Sequence, residues 1–218
     1  NLKKIRIDMN EKRIDTRAFV MGKIIRKYSL PLDEVDELNN IYEKNKHNLQ
    51  PFGSKLAGNI ETELDVTNML PNAKIIYTMY ECMKDCVIEN SKLFNTEDYK
   101  NIKDYNITSA WINDMKDGEW NPPHTHNVTK EGVSHGWSTV LFLKAPEMKP
   151  KGDLHKTLLN GRITFTDVHG EKVTSFVPEV GDFYIFDAKH QHFVMPVQLK
   201  DPSEIRRSLS FNFQIIKN

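Results

Sequence analysis

The sequence has few cysteines, no long apolar run and no excess of charge of one sign. Two cysteines among 218 residues cannot form a disulfide framework, and Cys82 and Cys86 are spaced like neighbours on one helix face. We expect both thiols to pack in a helix. Apolar runs end after a few residues, as in 140–143, whereas a membrane helix needs about 20. These absences predict a cytoplasmic protein with no membrane partner.

The charges balance, with 30 Lys and Arg against 30 Asp and Glu. Proteins that bind nucleic acid usually carry a basic excess, so we expect no nucleic-acid partner. No basic segment followed by an apolar stretch opens the sequence, so no secretory signal is expected. The hydrophobic fraction of 39% and the length predict one globular domain over residues 1–218.

Residues 1–105 have the patterns of a few strands and two supporting helices. Residues 18–28 favour a strand, and the segment after Ser29 favours a helix that Ser29 would cap. A second apolar stripe predicts a helix over about 71–93. The segment 49–64 contains prolines and glycines and is interpreted as a loop.

Residues 106–218 favour short strands separated by turns. The expected strands are 107–115, 137–144, 162–167, 172–177, 183–186, 193–198 and 207–216. Many short strands with regular turns predict a sandwich, a barrel or a jelly roll. Because the helices come first as a block, the fold class is α+β, with helices packed outside the β core.

A pair of histidines follows two prolines in the segment Asn-Pro-Pro-His-Thr-His. On an extended chain, His124 and His126 project to the same face, where two imidazoles can chelate a transition metal. The alternative is two surface histidines after a proline-rich turn. A third histidine in a matching context would favour the metal site.

Such a context occurs at residues 186–196, where His190 and His192 precede another apolar segment. A jelly-roll metal site takes neighbouring ligands from one strand and a distal ligand from another, which leaves coordination positions open for substrate. The alternative is the charged tip of an edge strand. The two histidine segments together favour a metal site more than either does alone.

The last strand has one polar and one apolar face. Arg206 and Ser208 lie on the polar face with Ser210 and Asn212, whereas Arg207 shares the other face with leucine and phenylalanine. A guanidinium with a hydroxyl two residues later can hold a carboxylate. The alternative is an exposed polar face on an edge strand.

In this order, these segments resemble the Fe(II)- and 2-oxoglutarate-dependent oxygenases, in particular a bacterial and phage branch related to prolyl hydroxylases. The resemblance covers about residues 109–213. Its pieces are Trp111-Ile112-Asn113, Gly118, the Pro-Pro-His-Thr-His segment, residues 138–146, the turn before Gly181-Asp182, residues 186–196 and residues 206–212.

The resemblance implies a double-stranded β-helix, or distorted jelly roll, with the N-terminal helices packed on one sheet. It implies an iron site formed by His124, His126 and His192, although the family usually has a carboxylate where His126 stands. Arg206 and Ser208 match the family's element that holds the distal carboxylate of 2-oxoglutarate.

The expected activity is hydroxylation of a small molecule or peptide while 2-oxoglutarate becomes succinate and carbon dioxide. By strand alternation, Asn113 is expected to line the pocket and contact the cosubstrate. Trp111 and Phe142 are expected near the pocket, or in the core beside it.

A second resemblance leads to a different activity. Gly118, the His124–His126 pair and Glu131 are similar to the first motif of the cupins, in which Glu131 would be a ligand. Ser138 stands where that motif has a glycine, and the motif does not explain Arg206. The alternatives are thus a cupin-type isomerase or dioxygenase without 2-oxoglutarate, or a jelly-roll binding module without catalysis.

Overall fold

A computed structural model describes residues 5–9, 12–20, 24–96, 100, 102–126, 136–149, 159–167, 169–170 and 172–217. These residues form two α-helices, α1 (Leu32–Asn45) and α2 (Ile75–Leu93). Short 3-10 helices cover Lys46–Asn48, Gly53–Lys55 and Leu70–Asn72. The strands are β1 (Ile5–Met9), β2 (Lys12–Val20), β3 (Ile24–Ser29), β4 (Thr62–Asp65), β5 (Ile102–Met115), β6 (Asn121–His124), β7 (Trp137–Lys144), β8 (Ile163–Thr166), β9 (Val173–Phe176), β10 (Asp182–Asp187), β11 (His192–Val194) and β12 (Arg206–Lys217).

The strands form two antiparallel sheets. The larger sheet has the order β1-β2-β3-β10-β7-β12-β5-β4, and the smaller has the order β6-β11-β8-β9. Strands from both halves of the sequence therefore share the larger sheet. Neither α-helix in the described residues is long and apolar enough to cross a membrane.

Two apolar layers cover the two faces of the larger sheet. On one face, Leu209 and Phe211 of β12 join the helices in the main core. On the other face, Phe142 and Phe186 pack against Phe165 of the smaller sheet. This arrangement is α+β, with the helices outside a pair of sheets, as predicted.

The start of α1 differs from the prediction. Asp33 and Glu34 occupy the first turn, where acidic side chains favour a helix start, but Ser29 does not cap the helix. Ser29 pairs with Asp182 in the ladder between β3 and β10, so its backbone is extended. The helix begins at Leu32 after Pro31, whose ring suits a helix start.

The first half of the chain contains two strands more than predicted. The single strand expected over 18–28 is wrong, because β2 and β3 form a hairpin in which Val20 pairs with Ile24. The loop expected over 49–64 ends in β4, which pairs with β5 along the sheet edge. A strand of four residues is too short to show a reliable alternation.

The remaining elements follow the expected pattern more closely. The predicted strand 137–144 has the observed bounds of β7, and the helix predicted over 71–93 ends where α2 ends. β6 was not predicted because it contains Pro122 and Pro123. It lies at the edge of the smaller sheet, where proline is tolerated. Cys82 and Cys86 are buried and free, as expected.

Candidate active site

A cavity of about 380 Å³ lies over the polar face of β12. Its lining brings together side chains from β5, β6, β11 and β12, and from the segment 52–60. The sequence-predicted residues in the lining are Asn113, Trp111, His124, His126, His192, Arg206 and Ser208. Phe142, also expected near the pocket, is buried beneath it and contacts the Arg206 guanidinium.

Three histidines converge at this cavity. His124 and His192 are cross-strand partners in β6 and β11. His126 follows β6, and its backbone N–H donates to the Ala188 carbonyl at 2.7 Å. One ring nitrogen from each histidine lies within 4.8 Å of the others, and the Nε2 atoms of His126 and His192 are 3.2 Å apart.

Backbone carbonyls set the tautomers of two of these rings. His124 Nδ1 lies 2.7 Å from the Pro122 carbonyl oxygen, and His192 Nδ1 lies 2.9 Å from the His190 carbonyl oxygen. A carbonyl oxygen only accepts, so each Nδ1 carries the hydrogen and each Nε2 keeps its lone pair. Both rings thus present a free lone pair to the cluster.

All three imidazoles are held in the neutral form. Burial lowers the pKa of His124, and it lowers the pKa of His126 to about 3 with the help of repulsion from His124. Burial and the two neighbouring histidines lower the pKa of His192 well below its usual range. A cluster that disfavours protons but offers lone pairs suits a metal cation.

The spacing of the histidines also suits one metal ion. Two nitrogens that are each about 2.1 Å from an ion, at a right angle, lie about 3 Å apart. The observed 3.2 Å between His126 Nε2 and His192 Nε2 is close to that separation. Within the described part of the chain, no carboxylate joins the cluster. The donor set is therefore three neutral nitrogens.

Ring stacking orients His126 among the described residues. Its ring stacks on Trp111, with centroids 5.6 Å apart, and on His192, with centroids 5.0 Å apart. Phe52 supports Trp111 from the other side at 5.4 Å. Phe52 was not identified from the sequence, because it lies in the segment interpreted as a loop and no local pattern marks it.

Arg206 is a buried cation without a counter-charge in the described residues. Arg206 is only 1% exposed, and its Nη1 donates a hydrogen bond to the Met115 sulfur at 3.0 Å. Phe142 lies under the guanidinium at 4.8 Å, and Nε has no hydrogen-bond partner among these residues. Burial lowers the pKa of Arg206 to about 9, so it is still charged at neutral pH. This environment suits an anionic ligand.

Arg207 points to the opposite face of the sheet and is paired with two carboxylates. Its guanidinium binds the Asp114 carboxylate through two nitrogens, one at 2.8 Å, and reaches Glu43 at 2.8 Å. The ring of Tyr42 lies 4.4 Å from its central carbon. Arg207 therefore joins β12 to β5 and α1, and it is not part of the cavity lining described above.

Asn113 and Ser208 sit side by side in the cavity wall. They are cross-strand partners in β5 and β12, two residues from Arg206 along the polar face. The Asn113 Oδ1 atom is buried and has no hydrogen-bond partner among the described residues. With Arg206, they form a polar region that can bind a carboxylate and further oxygens.

A buried carboxyl lies at the sheet edge beside Asn113. Glu63 of β4 pairs with Asn113 and is 3% exposed, and neither carboxyl oxygen has a partner among the described residues. Gly53 and Gly58 approach it so closely that an added Cβ would lie 3.0–3.2 Å from its oxygens. Burial, and then Glu119, raise the pKa of Glu63 to about 7.

One other candidate ligand among the described residues, His190, is not part of the cluster. His190 is buried, and its Nε2 is 2.7 Å from the Thr166 carbonyl oxygen, outside the cluster of three histidines. Glu131, the ligand of the cupin-like interpretation, lies outside the described residues.

Comparison of the sequence with protein families gives one match relevant to this site. Residues 109–212 match a family described as "Putative 2OG-Fe(II) oxygenase". This range contains all three histidines of the cluster together with Arg206 and Ser208. No curated protein matches the chain by sequence.

Comparison with solved structures finds prolyl hydroxylases. A prolyl-4-hydroxylase from Pseudomonas putida is 15% identical with a TM-score of 0.55, covering 89% of this chain and 92% of that chain. A viral collagen prolyl hydroxylase from Paramecium Bursaria Chlorella virus-1 is 16% identical with a TM-score of 0.56, covering 88% and 96%. A Trichoplax adhaerens prolyl hydroxylase, in complex with a hypoxia inducible factor peptide fragment, is 14% identical with a TM-score of 0.52, covering 83% and 77%. These likenesses show a shared fold.

Proposed function

Because the chain belongs to the 2-oxoglutarate- and Fe(II)-dependent oxygenases, we propose that it hydroxylates a peptide at an iron held by His124, His126 and His192. The enzyme class and its need for Fe(II) and 2-oxoglutarate follow from the family. The assignment of metal and cosubstrate ligands rests on one observation. The same cavity contains three neutral imidazoles and, a few residues along its wall, a buried arginine that has no counter-charge among the described residues.

The proposed architecture is a double-stranded β-helix within a single domain of residues 1–218. β5, β7, β10 and β12 would form one side of this core, and the smaller sheet would form the other. Residues 1–105 would support it, because β1–β4 extend the larger sheet and both helices cover its outer face. Residues 106–218 would then contain the proposed metal and cosubstrate ligands, and the segment 52–60 would complete the cavity wall.

The proposed division of roles follows the geometry of the cavity. Arg206 and Ser208 would bind the distal carboxylate of 2-oxoglutarate, and Asn113 would contact the cosubstrate beside them. Iron and 2-oxoglutarate, when bound, supply the oxidising chemistry with oxygen. Met115 and Phe142 would keep water from the Arg206 guanidinium, which strengthens its attraction for a carboxylate.

The His126 position gives this site a distinct electrostatic character. Where the family usually has a carboxylate, the chain has a neutral imidazole, so the protein ligands carry no negative charge. Three neutral ligands offset less of the charge of a divalent ion than a ligand set that includes a carboxylate. We propose that dianionic 2-oxoglutarate supplies the missing charge, so that metal and cosubstrate strengthen each other's binding.

We propose a peptide as the substrate because the similar structures are prolyl hydroxylases, one of them in complex with a peptide fragment. A small molecule is the alternative. We also propose a cytoplasmic location, because Cys82 and Cys86 are unpaired thiols buried in α2. Burial raises the pKa of both thiols, so neither is an activated nucleophile.

The test of this function begins with metal content. The wild-type chain and the variants His124→Ala, His126→Ala, His192→Ala and His190→Ala would be loaded anaerobically with Fe(II) and assayed by elemental analysis. The first three should lose most of the metal, and the fourth should retain it, because His190 lies outside the cluster. Full retention of metal in His192→Ala would remove the distal-ligand assignment.

The second part of the test follows the cosubstrate. 2-Oxoglutarate should bind the metal-loaded wild type with one site per chain in calorimetry, and oxygen should convert it to succinate. Binding should be much weaker without metal, because of the coupling proposed above. A metal-loaded wild type that neither binds nor consumes 2-oxoglutarate would contradict the proposed function.

A further inference from the structure

The polar row of the cavity continues past the part assigned to 2-oxoglutarate. Along paired β5 and β12, Asn113 lies opposite Ser208, Trp111 opposite Ser210, and Ser109 opposite Asn212. His126 stacks on Trp111 in the middle of this row, and the Ser109–Asn212 pair follows Trp111 at the end opposite Arg206. The seven residues from Arg206 to Asn212 span about 20 Å, far longer than 2-oxoglutarate.

One side-chain atom at this end of the row has no hydrogen-bond partner among the described residues. Asn212 lines the cavity and is 91% buried, and its Nδ2 lies 3.4 Å from the Ser109 hydroxyl. The Asn212 Oδ1 atom is the one without a partner. Buried polar atoms in native proteins are normally satisfied, so an unpaired one on a residue that lines a cavity indicates a ligand.

The cavity also limits the charge of that ligand. Among the described residues that line the cavity, Lys55 and Arg206 carry a positive charge, and none has a carboxylate. Arg206 lies at the other end of the row, and Lys55 Nζ lies over the Phe52 ring at 4.8 Å. The Ser109–Asn212 end therefore offers hydrogen bonds without a charge, which favours a neutral polar group.

We propose that Ser109 and Asn212 form a subsite for an amide group of the substrate, an inference that rests on the proposed function. A peptide group has one N–H donor and one carbonyl acceptor. The Asn212 side chain offers the matching acceptor and donor, and the Ser109 hydroxyl can do either. An alkyl chain or an ester at this place would leave the asparagine oxygen unsatisfied. A site built to hydrogen-bond a substrate rejects analogues that lack the group.

The experiment compares amides with esters in which the only backbone N–H is replaced by oxygen. Fe(II)-loaded enzyme with 2-oxoglutarate would be given a set of N-acetyl-N-methyl amino acid N-methylamides, with N-acetylproline N-methylamide included, and the matching methyl esters. Succinate release above the substrate-free rate is the measurement. We expect at least one amide to stimulate release, and its ester to do so at least tenfold less effectively at equal concentration.

Two variants locate the effect at the proposed subsite. Asn212→Leu has a similar shape without polar atoms and should lose at least tenfold of the amide stimulation, while metal content and 2-oxoglutarate affinity stay unchanged. Asn106→Leu is the matched control, because Asn106 lies on β5 but outside this cavity and is exposed. It should respond like the wild type. If Asn212→Leu does not fold, Asn212→Ala and Ser109→Ala replace it, with reduced preference for amide over ester as the expected result.

The outcomes separate this inference from the function on which it rests. Equal stimulation of succinate release by amides and esters would overturn the subsite. The subsite would also be overturned if no amide stimulates succinate release while the basal release is normal. Unchanged amide preference in every folded subsite variant would overturn it as well. Absence of 2-oxoglutarate binding and turnover would instead reject the proposed function, and the inference with it.

Discussion

Replacing Arg206 by alanine tests the proposed cosubstrate site most directly. Burial of the guanidinium lowers the pKa of Arg206 to about 9. At about 1.4 kcal/mol per pKa unit, this fall from the usual range of an arginine corresponds to roughly 5 kcal/mol by which burial disfavours the charged form. A bound carboxylate can recover part of this free energy. We therefore expect Arg206→Ala to weaken the binding of 2-oxoglutarate by at least about 3 kcal/mol. This is a hundredfold or greater rise in the Kd of 2-oxoglutarate.

The same substitution should have little effect on folding. A folded-state pKa below the unfolded value means that the charged arginine opposes folding at neutral pH, and alanine removes that opposition. The loss of packing against Met115 and Phe142 acts in the other direction. The variant should therefore stay folded and metal-loaded, with its defect confined to 2-oxoglutarate binding.

Arg207→Ala is the matched control, because it removes the neighbouring arginine from the other face of the strand. It leaves the buried Asp114 carboxylate without its bidentate partner, which costs about 3–5 kcal/mol of stability. Folded Arg207→Ala should nevertheless bind 2-oxoglutarate with an affinity close to that of the wild type. The two variants thus separate binding from stability.

The assays are calorimetric titration of the anaerobic, Mn(II)-loaded proteins with 2-oxoglutarate, and urea unfolding of the same preparations. Unchanged affinity in Arg206→Ala, with loss of binding in folded Arg207→Ala, would refute the face assignment. Equal losses of affinity in both variants would show that neither arginine contacts the cosubstrate directly.

Three further predictions concern the surroundings of the site. Glu63 ionises near pH 7 when folded but near 4.5 when unfolded, so stability should fall by about 3 kcal/mol as pH rises through that window. In Glu63→Gln this fall should be absent in urea unfolding between pH 4 and 8, and parallel curves would contradict the assignment. Trp111→Leu should weaken Co(II) binding about tenfold and alter its visible spectrum, because the His126 ring loses its stacking surface. An unchanged spectrum would contradict a positioning role. His126→Asp should keep Fe(II) in elemental analysis and make its affinity less dependent on 2-oxoglutarate, whereas His126→Leu should lose the metal.

The local patterns of the sequence determined the faces of the strands and the kinds of residue at the site. Strand side chains alternate whatever the tertiary context, so the division of residues 206–213 into a polar and an apolar face could be predicted. Spacing placed His124 and His126 together as candidates for one site, and residue type marked Arg206 as a candidate anion binder. The family resemblance over about residues 109–213 and the family match over 109–212 cover nearly the same segment.

Tertiary structure alone decided which of these groups has a partner. Arg206 and Arg207 are chemically identical neighbours, but Asp114 and Glu43 reach only the second of them, from distant parts of the chain. The stacking of Phe52 on Trp111 and the burial of Glu63 likewise arise where segments far apart in sequence pack together. No local periodicity of the sequence encodes such contacts, because they depend on strand order and on how closely the segment 52–60 packs against the sheet.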